Sequence, residues 1–234
     1  MIDFHSHILP KIDDGSKSCD MSLEMLKTSY DYGIRTMVAT PHFYISQNEA
    51  EQFCKRRAGS YEALSKRIAE ADTPLPDIIL GAEVYYFRGI SKYPKLDMLK
   101  IGGTDHILLE MPFECWNDKM LNEIAEIKEE FGITPVMAHL DRYIDFQKGT
   151  DNIERLLAMD VYVQLNAEAF EPFFGRGRYL NMVKDGVVSA LGSDCHNTDS
   201  RRPNLDRCFS LITKKCGEQA VENIMDRSKK LLGL

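Results

Sequence analysis

No apolar run in this 234-residue sequence approaches the ~20 residues that cross a bilayer, so stable membrane insertion is not expected. None of the six cysteines forms a C-x-x-C pair, which argues against a zinc knuckle or a thioredoxin-type site and leaves reduced, structural thiols. There is no surplus of positive charge: the formal net charge is -7, which argues against nucleic-acid binding. The stretch Met1-Ile2-Asp3-Phe4-His5 is acidic and polar and does not read as a secretory signal, so a cytoplasmic location is expected. Linker-like, repetitive and low-complexity segments are also missing, and residues 1–234 are expected to form one domain. Histidine is scarce, with only six in the chain.

What is present is an alternation of apolar, β-branched runs with helical patterns. Residues 1–7, 35–42, 77–86, 105–111, 133–139, 161–166 and 187–193 read as strands. Helices are expected at 18–32, 47–70, 118–131, 152–159 and 179–184, with two more closing the chain. Seven strands alternating with helices define an α/β protein with a mainly parallel sheet. An open doubly wound sheet and a closed barrel both fit, and this many units in this length lean toward a compact, irregular barrel.

Five of the six histidines fall at or just past the C-terminal end of an expected strand: His5, His7, His42, His139 and His196. Asp14, Glu83, Glu110 and Asp194 occupy the same kind of place. In a barrel those ends share one mouth, so nine groups scattered from position 5 to 196 would meet. Burying that many imidazoles and carboxylates without cations would leave unpaired charge, and metal binding removes the cost. Imidazole with carboxylate and no thiolate suits zinc, iron or manganese. In His5-Ser6-His7 the strand period of two puts both rings on one face, within reach of one ion. His106 lies at the other end of its strand from Glu110 and reads as structural. Nine ligands exceed the needs of one ion, so two or three ions are expected, with Glu83 or Asp194 bridging. Clustered ions suit in-line displacement at a phosphoester.

Taken in chain order, His5-Ser6-His7, Asp13-Asp14-Gly15, Thr40-Pro41-His42, Gly81-Ala82-Glu83, Glu110, Ala138-His139-Leu140-Asp141-Arg142-Tyr143 and Ser193-Asp194-Cys195-His196 resemble the motifs of the polymerase and histidinol phosphatase (PHP) superfamily. The opening is closer still to one branch, the bacterial manganese-dependent protein-tyrosine phosphatases encoded with capsule and exopolysaccharide machinery. The resemblance implies a distorted (β/α)7 TIM-like barrel of PHP fold with a trinuclear manganese site, the ligand types also suiting iron or zinc. It implies His5, His7, Glu83 and Asp194 around one ion, Glu83, Glu110 and His139 around a second, and Asp14, His42 and His196 around a third. Arg142 and Arg201 match arginines that these phosphatases use near the phosphate, and Arg202 is adjacent and could substitute. The expected reaction is hydrolysis of phosphotyrosine by metal-activated hydroxide, with His42 the candidate general acid because it should lie near the mouth. The partner implied is the tyrosine-rich tail of a bacterial tyrosine kinase.

Two alternatives share the constellation. One is histidinol-phosphate phosphatase, which the Asp13-Asp14-Gly15 opening and the short chain disfavour. The other is a non-catalytic metal-binding PHP module, which the full ligand set disfavours. A third mechanism hides in Cys195-His-Asn-Thr-Asp-Ser-Arg201, the C-x5-R spacing of thiolate phosphatases. Its neighbours Asp194 and Asp199 oppose thiolate formation and phosphate entry. The Lys55-Arg56-Arg57 cluster on the long second helix reads as a solvated face.

Overall fold

The computed structural model describes residues 1–171 and 175–234. Among these described residues nine short strands carry the architecture: β1 (Ile2–Ser6), β2 (Thr36–Ala39), β3 (His42–Phe43), β4 (Asp77–Leu80), β5 (Glu83–Tyr85), β6 (His106–Glu110), β7 (Thr134–Met137), β8 (Tyr162–Asn166) and β9 (Ala190–Gly192). Seven α-helices accompany them: α1 (Cys19–Asp31), α2 (Ala50–Ala69), α3 (Asp118–Phe131), α4 (Asn152–Leu157), α5 (Arg176–Lys184), α6 (Leu205–Cys216) and α7 (Glu218–Leu232). Local chemistry sets several helix starts and stops. Ser18 caps α1 by accepting from Met21 N–H, Asn117 caps α3 by accepting from Met120 N–H, and Gly132 ends α3 in the left-handed region. Among the described residues, no helix is long and apolar enough to cross a membrane.

Every strand pair is parallel, in the orders β1-β2-β4 and β3-β5-β6-β7-β8-β9. Here the structure corrects the sequence reading: the runs 35–42 and 77–86 are each two strands, not one. The breaks fall at Thr40-Pro41 and Gly81-Ala82. Pro41 has no N–H to give to a ladder, so the sheet cannot continue evenly through it. The register nonetheless carries across, with Ala39 opposite Leu80 and His42 opposite Glu83, bridged by Gly81 N–H to Ala39 O (2.8 Å) and Glu83 N–H to Pro41 O (3.1 Å). Arg57, expected on a solvated face, instead reaches from α2 to the carbonyl of Gly81 at 2.6 Å and fastens this break.

The ring closes between the last strand and the first. Asp194 N–H donates to His5 O (2.8 Å), and His7 N–H donates to Cys195 O (2.9 Å). The result is a closed, irregular seven-stave parallel barrel, as the (β/α)7 expectation required. Ile107, Leu109, Val136, Leu165 and Leu191 are fully buried with apolar helix residues such as Ile124 and Ile212 in one continuous core. Polar residues are fully buried in the staves too: Asp3, His5, His7 and Gln164. Because all staves run the same way, their C-terminal ends open on one mouth.

Candidate metal centre

All nine expected groups arrive at that mouth. His5 Nε2 lies 3.1 Å from His7 Nε2, and each of these atoms is 3.2 Å from Glu83 Oε2. Asp194 Oδ1 stands 3.7 Å from His5 Nε2 and 3.4 Å from His7 Nε2. His139 Nε2 is 2.8 Å from Glu83 Oε1 and 3.7 Å from Glu110 Oε1. His42 Nδ1 is 2.9 Å from Glu83 Oε2, and its Nε2 is 3.5 Å from Asp14 Oδ1. His196 Nε2 is also 3.5 Å from Asp14 Oδ1. Asp14 alone sits well out at the rim, with its side chain 64% exposed. His106 stays at the opposite end of β6, edge-on to Tyr162.

Three groups bring donor atoms within 4.8 Å of one another: His7, Asp14, His42 and His196; His5, His7 and Glu83; and His42, Glu83 and Glu110. They overlap the division that the resemblance implied, with His7 leaning toward the rim group and His42 toward Glu83 and Glu110. Eight buried side-chain atoms among the described residues lack a well-formed hydrogen bond, and five of them are here: His42 Nδ1, Glu83 Oε2, Glu110 Oε2, His139 Nδ1 and His196 Nε2, the first two lying 2.9 Å apart without forming one. Orphaned buried nitrogens and oxygens are costly, and their concentration at one point fits cations held among them.

Burial and mutual charge also set the protonation of these groups. Burial opposes the charge on Glu83 and Asp194, yet the surrounding imidazoles hold both carboxyls well below their ordinary range. Glu110, buried and beside Glu83, is pushed up to about 7. His196, buried and facing His7, is pushed down to about 4.

A second layer of residues aims the first. Asp13 Oδ2 meets His7 Nδ1 at 2.8 Å and accepts from His42 N–H at 3.1 Å, leaving His7 Nε2 for the centre. Gln164 Oε1 meets His5 Nδ1 at 3.2 Å and accepts from His139 N–H at 2.7 Å. Gln164 Nε2 donates to Asn166 Oδ1 (2.9 Å), and Asn166 Nδ2 donates to Asp194 Oδ2 (3.0 Å). Gln164 reaches β1 across β9 because Gly192 stands between them. A Cβ there would lie 2.4 Å from His5 Cβ and 2.8 Å from Gln164 Nε2, so only glycine fits. His139 (φ 31°) and Asp194 (φ 52°) hold left-handed backbone, as Lys11 does. Such strain costs on the order of 1–3 kcal/mol per residue and persists where the surroundings over-determine it.

Sequence reasoning passed over Asp3, Gln164 and Asn166, and it quoted Asp13 in a motif without giving it a role of its own. For Gln164 and Asn166 a signal existed: Gln164-Leu165-Asn166 has the same alternate-residue spacing as His5-Ser6-His7, which puts both amides on one face of a strand.

Arg142 and Arg201 both come to Asp194, Nη2 to Oδ2 at 2.7 Å and Nη2 to Oδ1 at 2.8 Å. Their side chains are 30% and 35% exposed, so both also face the open mouth. Arg202 is exposed and lines a neighbouring polar cleft with Asp199, Asp206 and Glu168, the last of which lies 3.9 Å from Arg142 Nη2. The C-x5-R loop is no phosphate cradle: His196 and Asn197 N–H donate to Arg201 O, and Asp199 and Arg201 N–H donate to Asn197 Oδ1. Cys195 is fully buried, and burial together with nearby Asp3 pushes its thiol well up, away from thiolate.

A parallel barrel with imidazoles and carboxylates crowded at its C-terminal mouth, and arginines beside them, defines a metal-dependent hydrolase of the PHP type. More narrowly, the chain belongs to the capsular polysaccharide synthesis family CpsB/CapC, whose pattern matches residues 1–232. It is 31% identical to the tyrosine-protein phosphatase CpsB of Streptococcus pneumoniae, over 99% of this chain and 98% of that one. It is 26% identical to the tyrosine-protein phosphatase YwqE of Bacillus subtilis, over 99% and 91%. Its fold superposes with a TM-score of 0.87, at 25% identity and over 100% and 94% of the two chains, on a structure from the pair YwqE of Bacillus subtilis and CpsB of Streptococcus pneumoniae, reported as metal-dependent tyrosine phosphatases.

Proposed function

We propose that the protein is a metal-dependent protein-tyrosine phosphatase that hydrolyses phosphotyrosine on a bacterial tyrosine kinase of capsule or exopolysaccharide synthesis. The observation that carries this reading is the meeting of nine imidazole and carboxylate groups with Arg142 and Arg201 at one mouth. His5, His7, Asp14, His42, Glu83, Glu110, His139, Asp194 and His196 are the proposed ligands, of three divalent ions, manganese foremost. Ions bound there would supply a water acidified toward neutral pH and positive charge for the phosphoryl oxygens.

The chain's own residues do the rest. Each guanidinium has five N–H donors in a planar fork, so those beyond the Asp194 contact are available for the oxygens of a phosphate dianion. Water oxygen bonds to phosphorus as it gives up a proton to solvent, the bond from phosphorus to the phenolic oxygen breaks, and the electron pair leaves with that oxygen, which then takes a proton from solvent to become the phenol. A phenol has a pKa of about 10, so the leaving group needs less protonation than an aliphatic alkoxide. His42, with Nδ1 2.9 Å from Glu83 Oε2 and Nε2 3.5 Å from Asp14 Oδ1, serves in this reading as a ligand, and no general acid is assigned. A cytoplasmic location, with encounters at the inner membrane face, accords with such a kinase tail as partner.

The test couples metal analysis to phosphotyrosine-peptide turnover before and after chelation. Activity should vanish with the metals and return on adding manganese. Full activity in verified metal-free protein would sink the reading, and a preference for histidinol phosphate in a parallel assay would reassign the substrate.

A further inference from the structure

Two phenylalanines stand exposed beside the metal centre, Phe113 on the loop after β6 and Phe146 on the loop after β7, each 46% exposed. Neither loop is loose. Met111 N–H donates to the Tyr143 hydroxyl (3.0 Å), and Trp116 N–H donates to Gln147 Oε1 (3.0 Å). Gln147 Nε2 donates to Glu114 O (2.8 Å), and Asn152 Nδ2 donates to Trp116 O (2.8 Å). Gln147, Asn152 and Tyr143 are buried, so the clamp that joins the two loops is shielded from water. On this support the Phe113 ring lies parallel to the His139 imidazole, with an interplanar angle of 12° and a centroid distance of 6.2 Å. Phe146 lies 6.0 Å from it and buried Tyr143 5.3 Å, both tilted.

Apolar rings held rigidly in water at the edge of a polar site forgo hydrophobic stabilisation that a polar residue would not forgo. A bound aromatic group recovers it. Arg142 and Phe146 both lie on the loop after β7, and the His139 ring that Phe113 faces is three residues before Arg142, so the arginine and the aromatic rings edge the same side of the mouth. We propose that Phe113, flanked by Phe146, is the face on which the phenyl ring of phosphotyrosine packs, and that it sets the preference for aryl over alkyl phosphomonoesters. This rests on the phosphotyrosine reading above. A second aromatic pair, Tyr44 and Tyr85, stands on the His42 side with centroids 5.4 Å apart. Those rings are hydroxylated and less exposed, and Tyr44 shares a cleft with Asp14, His42 and Arg56, so the test includes this pair as the competing face.

The test uses manganese-loaded wild type, Phe113→Ala, Phe113→Tyr and Tyr85→Ala, each first shown to melt cooperatively with its metals bound. The substrates are one peptide carrying phosphotyrosine and the same peptide carrying phosphoserine. Calorimetry follows binding of inorganic phosphate and of the peptide with a non-hydrolysable phosphonomethyl-phenylalanine. In Phe113→Ala, KM for the phosphotyrosine peptide and Kd for the phosphonate should each rise roughly 3- to 10-fold, with kcat within about twofold. Phosphate affinity and phosphoserine turnover should stay level, and Phe113→Tyr should restore the loss. An unchanged KM, an equal loss on phosphate, or a loss that follows Tyr85→Ala instead overturns the proposal. Wild type that turns over neither peptide would instead refute the phosphatase reading itself.

Discussion

Replacing Gln164 by leucine removes one side chain that touches neither the mouth nor solvent, yet should loosen the whole metal centre. Its Oε1 serves both His5 Nδ1 and the backbone N–H of His139, and its Nε2 holds Asn166, which in turn holds Asp194. Leucine has similar bulk and no polar atom, so the substitution leaves three buried groups unsatisfied. At about 1–3 kcal/mol for an orphaned buried donor, with partial relaxation, the metal-free fold should lose roughly 2–5 kcal/mol. His5 also loses the bond that fixes its tautomer and ring angle, and metal affinity should fall on the order of 10- to 100-fold. The assay is thermal unfolding of the metal-free protein alongside a manganese titration followed by calorimetry. Gln164→Glu, which keeps the acceptor but not the donor to Asn166, should fall between the two. A folded Gln164→Leu protein whose manganese affinity matches wild type within about twofold would refute the argument that these amides aim the ligands.

Asp3 offers a pH test in the metal-free protein: burial lifts it to about 6 from its ordinary 3.8, although it accepts from Ser193 N–H, Ser193 Oγ–H and His5 N–H. A raised carboxyl binds its proton more tightly in the folded state, so its contribution is complete below about pH 4 and is lost as pH rises through about 6. Relative to Asp3→Asn, wild type should therefore weaken by about 2–3 kcal/mol over that window, and a pH-independent difference would contradict the assignment. Cys195→Ser should keep chelator-sensitive turnover within roughly threefold of wild type, whereas abolished turnover with metals still bound would revive the thiolate mechanism. Arg142→Ala and Arg201→Ala should each lower kcat/KM about a hundredfold, while Arg202→Ala stays near wild type. Equal losses in all three would show that the neighbouring cleft lined by Arg202 belongs to the site.

The meeting of the nine groups of the proposed metal centre was readable because they keep their chemical type at a position that pattern alone reveals, the end of an apolar run. His5-Ser6-His7, His139 and His196 could be placed at strand ends before any coordinates. The breaks at Thr40-Pro41 and Gly81-Ala82 were hidden because they interrupt β-branched runs without changing register, so the local pattern reads straight through them. Gln164 and Asn166 were hidden for a different reason. A buried amide has no charge to neutralise, so nothing in its composition demands a partner, and only the three-dimensional path across Gly192 shows what it serves. Arg57 misled because a basic cluster on a long helix looks solvated, whereas one of its members bends inward to a carbonyl. Phe113 and Phe146 carry no signal in a loop, where an apolar residue can as easily be tucked in as left out.

The seam that closes the barrel has a consequence for biosynthesis. His5 and His7 lie on one side of it and Asp194 and His196 on the other, nearly the full length of the chain apart. A nascent chain still short of its ninth strand therefore holds only part of the cluster, however well its earlier βα units have formed. Contacts of such separation form late and slowly. The proposed ions would therefore meet the complete set of groups only in the finished barrel.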